Sequence, residues 1–297
     1  MESYDVIIIG KGPAGISASL YTQRGGLRTL VIGGDFGGLW KTHSIENYYG
    51  FEHPISGRDL LETGVRQAGH LGVTLLDGEV TGIEYGNTYT VKTTGGEFAT
   101  PAVLIATGQP ARRPDIPGIR EFEGKGVSYC TTCDGFFFRG KKVGVLGGGR
   151  YALEEAGELK PFTADITLYT NGETVGFDEK AAQADGFRIC DSKVRALHGD
   201  SLLEKIELAD TSEPLDGLFV ASGTASSVDF AVKLGVAVKD GSIVVDGRQA
   251  TNLPGIYAAG DCTGGFRQVA TAVGQGAVAG RHIIEFVRQQ KKTTGKP

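Results

Sequence analysis

Cys130 and Cys133 stand three positions apart in the run Cys130-Thr131-Thr132-Cys133-Asp134. Two thiols at that spacing can close a small disulfide ring and reopen it, which makes them a redox couple. A structural zinc site needs four ligands. Cys190 and Cys262 are far away in the chain and no His lies close to the pair, so no metal is expected there. Four cysteines in 297 residues also form no framework of the kind that staples small secreted domains. An aromatic run, Phe136 to Phe138, follows the pair and reads as strand core. It leads into a strand, Lys142 to Leu146, and the turn Gly147-Gly148-Gly149. A dithiol beside a dinucleotide-type turn suggests electrons moving between a disulfide and a bound cofactor.

The elements that must position such chemistry repeat along the chain. Asp5 to Ile9 reads as a fully buried parallel strand. It runs into Gly10-Lys11-Gly12-Pro13-Ala14-Gly15, then a helical pattern through Ile16, Ala18, Leu20 and Tyr21, then a second strand, Thr29 to Ile32. Strand, GxGxxG, helix and strand within about thirty residues is the context the dinucleotide fingerprint demands. Its glycines let backbone amides approach a pyrophosphate at a helix N-terminus. The acid expected at the end of the second strand is missing: Gly33 and Gly34 stand there and Asp35 comes late.

The second unit starts at Lys142, with Gly147-Gly148-Gly149-Arg150-Tyr151-Ala152, a helix from Leu153 to Leu159 and a strand from Asp165 to Tyr169. NADP readers place an Arg near the end of that strand and NAD readers an acid. This chain has Thr170-Asn171-Gly172-Glu173. Glu173 is expected on a solvated turn, with a ribose contact as the alternative. Arg150 either fills the pyrophosphate space or contacts a phosphate. A third signal is the small-residue strand Gly255 to Ala259 ending in Gly260-Asp261, followed by Arg267-Gln268 and a helix from Val269 to Ala279. An Asp at such a strand end binds cofactor hydroxyls or simply caps a helix. The runs Val103 to Gly108 and Leu218 to Gly223 occupy equivalent places in the two units, a weak internal repeat.

Length suggests about two domains. Hydrophobic residues at 40% and charged residues at 22% describe an ordinary globular chain, and the net charge of -5 argues against a nucleic-acid binder. The apolar run Val6 to Ile9 is too short for a signal peptide or a membrane span, so a cytoplasmic location without membrane contact is expected. The 47 glycines are scattered among patterned segments, as tight turns and nucleotide sites require.

In this order the pieces resemble the low-molecular-weight thioredoxin reductases. The resemblance covers nearly the whole chain. It rests on Gly10-x-Gly12-x-x-Gly15, Gly37-Gly38, Glu46 to Phe51, Ala106-Thr107-Gly108, Cys130 to Gly135, the second Gly turn, and Ala259-Gly260-Asp261 with Arg267-Gln268. It implies an α/β fold of two Rossmann-like domains of the three-layer ββα type, the second inserted in the first. The FAD domain would take 1–112 and 243–297, and the dithiol domain 113–242, with crossovers near Arg112-Arg113-Pro114 and Asp240 to Ser242. FAD contacts would come from Gly10, Gly12, Pro13, Ala14, Gly15, Gly37, Gly38, Asn47, Ala106, Thr107, Gly108, Gly260, Asp261, Arg267, Gln268 and Val269. Cys133 would exchange electrons with the flavin, and Cys130 would attack the disulfide of a thioredoxin-like partner. Asp134 would protonate a leaving thiolate, or serve as a turn residue before Gly135. A homodimer is implied, as is hinge rotation between the domains. Trp40 and Tyr48 either shield the flavin or pack in the core, the latter being expected. Cys190 and Cys262 are expected as buried small hydrophobes.

The departures point to a branch. NADPH-dependent members carry a His-Arg-Arg type motif where this chain has Thr170-Asn171-Gly172, and small polar residues where it has Arg150 and Tyr151. These changes resemble the ferredoxin-dependent flavin thioredoxin reductases, with ferredoxin as donor and no NADPH. The alternatives are an atypical NAD(P)H site, a second flavin as in the diflavin-linked disulfide oxidoreductases, or a non-catalytic flavin redox sensor.

Overall fold

The computed structural model describes residues 1–34, 38–108, 114–129, 131–222 and 227–295. Gly37, Cys130, Asp35, Arg112, Arg113 and Gly223 lie outside the described residues, as does the side chain of Cys133. The chain divides into two compact units, Met1–Pro110 with Ser226–Pro297, and Ala111–Ala225.

Ten described strands form two parallel sheets: β1 (Val6–Ile9), β2 (Thr29–Ile32), β3 (Thr74–Leu76), β4 (Val103–Ile105), β5 (Val127–Ser128), β6 (Val143–Leu146), β7 (Ile166–Tyr169), β8 (Arg188–Cys190), β9 (Gly217–Val220) and β10 (Ile256–Ala258). Four helices bear on the sites: α1 (Pro13–Arg24), α2 (Thr131–Asp134), α3 (Arg150–Leu159) and α4 (Val269–Thr294). The first unit has strand order β10-β4-β1-β2-β3, and the second β8-β7-β6-β9-β5. In both, the strand that feeds the Gly turn lies between the strand after its helix and the later strand of the repeat. The internal repeat in the sequence is therefore a repeat of topology.

Each unit has further strands outside its parallel sheet. In the first unit Glu2–Ser3, Gly96–Thr100, Tyr89–Thr93 and Val80–Tyr85 form a separate four-stranded sheet. In the second unit Val194–His198, Lys205–Leu208 and Ser212–Pro214 form an antiparallel sheet. Its Val194, Leu197, Ile206 and Leu208 bury with Leu146, Tyr169, Leu218 and Val220 of the parallel sheet. β1, β4 and β6 are buried along their whole length, which explains why they read as unbroken apolar runs rather than alternating ones.

Small residues bring α1 and α4 together. A methyl group on Gly276 would lie 2.1 Å from the Ala14 carbonyl oxygen, and one on Gly280 2.9 Å from that of Ala18. α4 extends to Thr294, well beyond the expected end at Ala279, and its Ile283, Ile284 and Val287 join the core of the first unit. The return to the first unit comes near residue 226, not at 240–242. Helix Ser227–Leu234 packs on strand Val80–Tyr85. Asn252 then ties the segment down: its Oδ1 accepts from the Ala237 amide at 2.8 Å and its Nδ2 donates to the Gly235 carbonyl at 3.0 Å. Among the described residues no helix is long and apolar enough to cross a membrane.

Candidate active site

The first turn is a cradle. Gly10 has φ +115°, and a methyl group on it would come within 2.2 Å of the Ala106 carbonyl oxygen. One on Gly15 would come within 2.0 Å of the Gly10 carbonyl oxygen. Only glycine permits this crossing of β1, β4 and the start of α1. Gly12 differs: a methyl group there meets no described atom within 4 Å. Pro13 opens α1 at a position whose missing N–H costs nothing. Space lies over Gly12 at the helix terminus, where a pyrophosphate is best held.

The other expected cofactor residues converge on the same unit. Ala106 is buried and Thr107 and Gly108 follow β4. Thr107 Oγ1 is buried with no hydrogen-bond partner among the described residues, a polar atom left for a ligand. Asn47 Nδ2 donates to Gln268 Oε1 at 2.9 Å, joining two motifs 221 positions apart. Gln268 is the N-cap residue of α4, and Val269 begins it. Gly260 packs on Ala14, and Asp261 opens a short 3-10 turn after β10. Gly38 opens another, Gly38–Lys41, and Arg267 is exposed. These residues fit a flavin dinucleotide: an open glycine at a helix terminus, an orphaned hydroxyl and a carboxylate at a strand end.

Two residues that sequence reasoning missed complete this site. Gln275 Oε1 accepts from the Gly260 amide at 2.8 Å and so fixes the strand end that carries Asp261. Lys11 is buried at the turn, with its ammonium on the Asp77 carboxylate, and packs on Gly33. Trp40 and Tyr48 are only half-buried and do not pack in a core as expected. Trp40 instead lies under the Arg58 guanidinium, 5.0 Å from its ring centroid.

The second turn begins alike and ends differently. Gly147 has φ +152°, and a methyl group there would come within 2.2 Å of the Ala221 carbonyl oxygen, as at Gly10. Beyond β7 the chain turns back through Asn171 and Gly172, both at positive φ. The Gly176 amide then donates to the Gly148 carbonyl at 2.8 Å. A methyl group on Gly176 would lie 3.6 Å from Gly149 Cα and 3.9 Å from the Arg150 amide nitrogen. The start of α3 thus lies beneath the chain's own backbone. Arg150 and Glu173 are both exposed, and Tyr151 is buried at 2%. Glu173 sits on a solvated turn, as expected. Arg150 is exposed, and it is segment 173–176 that lies over the start of α3.

The dithiol segment forms α2 directly before a 3-10 turn, Gly135–Phe138. Asp134 is half-buried and accepts from Ser128 Oγ at 2.6 Å. The expected strand at Phe136 to Phe138 is not there. The 3-10 turn sends the three rings to different places. Phe138 packs edge-on against Phe219, whereas Phe136 and Phe137 are 62% and 67% exposed. Cys262 is fully buried, and burial pushes its thiol up to about 12. Cys190 is half-buried at the edge of the second core.

A parallel sheet with a flavin-type cradle and a dithiol segment in a second unit of the same topology together define a class, that of the two-domain disulfide oxidoreductases. The model of the pyridine nucleotide-disulphide oxidoreductase family matches residues 4–276, and the chain belongs to that family, as an FAD-dependent disulfide oxidoreductase of the thioredoxin reductase type. A thioredoxin reductase of Listeria monocytogenes is 34% identical over 98% of this chain and 96% of its own. Among solved structures, the atypical thioredoxin reductase TRi from Desulfovibrio vulgaris Hildenborough has a TM-score of 0.91 and 42% identity, covering 96% of this chain and 98% of that one. A ferredoxin-flavin thioredoxin reductase from Clostridium acetobutylicum has a TM-score of 0.72 and 29% identity, covering 97% and 99%.

Proposed function

We propose that this chain reduces the disulfide of a thioredoxin-like protein through FAD and the Cys130–Cys133 dithiol, with a ferredoxin rather than NADPH as electron donor. The observation that carries the choice of donor is the hydrogen bond from the Gly176 amide to the Gly148 carbonyl. It holds segment 173–176 over the helix start that a nicotinamide dinucleotide would need for its pyrophosphate. The likeness to a ferredoxin-flavin thioredoxin reductase supports the same reading.

FAD would lie against Gly10, Gly12, Pro13, Ala14, Gly15, Thr107 and Asp261 of the first unit, with Asn47 and Gln268 near it. Bound there it supplies a two-electron store, which lets a one-electron donor serve a two-electron disulfide. The chain's own residues handle the partner. The Cys130 thiolate attacks one sulfur of the partner disulfide and displaces the other as a thiolate, which Asp134 protonates. Cys133 then attacks Cys130, closing the internal disulfide and releasing the reduced partner. The exposed Phe136 and Phe137, a few residues after the dithiol in the chain, give the partner an apolar landing. The Ser128 hydroxyl aims the Asp134 carboxyl.

Turnover tests this directly. The flavin-loaded protein is given oxidised thioredoxin with chemically reduced ferredoxin, and separately with NADPH or NADH. Reduction of thioredoxin with ferredoxin alone is expected. Turnover with either nucleotide at a rate matching ferredoxin would refute the donor assignment, and no turnover with any reductant would refute the enzymatic reading.

A further inference from the structure

No acid stands at the end of β2; Gly33 and Gly34 do. β1, β2 and β3 run side by side, with Ile9 opposite Ile32 and Ile32 opposite Leu76. The pairing continues past their ends. The Gly10 amide donates to the Ile32 carbonyl at 2.7 Å, and the Gly33 amide to the Leu76 carbonyl at 3.1 Å. Gly10, Gly33 and Asp77 therefore follow one another along the sheet edge that carries the open Gly turn.

Lys11 crosses that edge. Its stem lies over Gly33, where a methyl group would come within 3.1 Å of Lys11 Cγ, 3.2 Å of its backbone nitrogen and 3.3 Å of its Cε. A side chain at 33 and Lys11 in this course exclude each other, so the glycine and the lysine belong together. The Lys11 ammonium ends on Asp77 Oδ1. The pair is lopsided: the Lys11 side chain is 6% exposed and that of Asp77 89%. A buried ammonium needs an opposite charge close by, which accounts for Oδ1. A carboxylate offers about four lone-pair sites. Asp77 has no other side-chain partner among the described residues, so Oδ2 faces outward beside the cradle.

We propose that Asp77 is the ribose reader of this chain: its carboxylate, held by Lys11, accepts hydrogen bonds from the adenosine ribose hydroxyls of FAD. In dinucleotide-binding units an acid at the end of the second strand does this. Here the carboxylate stands one strand further out, a shift of about 4.8 Å, at the end of β3, and Lys11 spans the gap. The proposal rests on the FAD reading above and adds to it the residue that tells a ribose with hydroxyls from one without.

The test is calorimetric titration of the whole chain, stripped of flavin, with FAD and with its analogue carrying 2′,3′-dideoxyribose in the adenosine half. Wild type is expected to bind FAD about tenfold more tightly than the analogue. Asp77→Ala combined with Lys11→Met removes the reader without leaving a buried ammonium unpaired. In that variant the ratio should fall to about one, through weaker binding of FAD alone. A ratio still at the wild-type value, or both ligands weakened alike, would overturn the proposal, because a merely structural pair does not distinguish the two ribose forms. Lys11→Met alone keeps the stem over Gly33 and should lower the ratio in part; no change there would overturn the role given to Lys11. Asp35→Ala, which removes the acid that comes late in the sequence, should leave the ratio as in wild type, and its loss would assign the reader to Asp35 instead. Wild type that binds FAD and the analogue equally well would overturn this proposal alone, whereas wild type that binds neither would refute the FAD reading itself.

Discussion

At the first Gly turn, Gly10 lies under the carbonyl of Ala106; at the second, Gly147 lies under the carbonyl of Ala221, with the same 2.2 Å approach from where a methyl group would stand. The paths then part. Gly12 faces open space, whereas the start of α3 lies beneath Gly176. The same strand-turn-helix frame thus leaves the helix start open in one unit and beneath backbone in the other. A fingerprint of glycines secures the crossing of strand and helix, and whether a dinucleotide fits depends on what the chain does after the next strand.

The largest expected effect breaks the open turn. Gly12→Val leaves the fold intact, because φ of -73° suits valine and no described atom is within 4 Å. Overfilling the cradle should weaken FAD binding about tenfold to a hundredfold. The FAD-to-polypeptide ratio after gel filtration, with unchanged circular dichroism, checks it. The matching change in the covered turn, Gly176→Ala, meets only ordinary contacts and should leave that ratio unaltered.

A smaller effect sharpens the proposed role of the second unit in meeting the partner. Removing the exposed rings in Phe136→Ser with Phe137→Ser should raise KM for thioredoxin about tenfold while leaving kcat nearly unchanged. Steady-state kinetics over a range of thioredoxin concentrations would reveal a loss in kcat instead, had the rings served the fold.

The smallest effect concerns stability of the second unit. Arg188 pairs with Glu213, and the guanidinium hydrogen bond holds that carboxyl below its ordinary value of 4.5. A depressed folded value means that the pair stabilises fully above pH 4.5 and loses its contribution as pH falls through the folded value. Both side chains are partly exposed, so Arg188→Met should cost about 1 kcal/mol or less at pH 7. Urea melts at pH 7 and pH 3 check it: the difference between wild type and variant should shrink at the lower pH.

Much of the frame was legible because it is local. Four buried strand residues, a Gly turn and a helix follow one another in sequence, and burial on both faces writes β1 and β6 as apolar runs. The dithiol proposal rests on spacing, since Cys130 and the Cys133 side chain lie outside the described residues. What escaped depended on distant contacts. Phe136 to Phe138 has the composition of a strand, yet the backbone turns tightly there: Phe138 is buried against Phe219, while Phe136 and Phe137 stay exposed and meet each other edge-on. Helix Ser227–Leu234 joins the first unit through strand Val80–Tyr85, far earlier in the chain, so the crossover was placed too late. Gln275 and Glu155 look like ordinary helix residues until the Gly260 amide and the Thr131 hydroxyl are seen to meet them. For α4, the pairs Gly276 and Gly280 against Ala14 and Ala18 were a readable signal of close helix crossing.

The most direct test of the contrast between the two turns is an anaerobic titration of the flavin-loaded protein with NADPH, followed in the visible flavin band. With segment 173–176 over the second turn, the band should stay unchanged through micromolar NADPH and bleach when reduced ferredoxin is added. Rapid bleaching by micromolar NADPH would contradict the account.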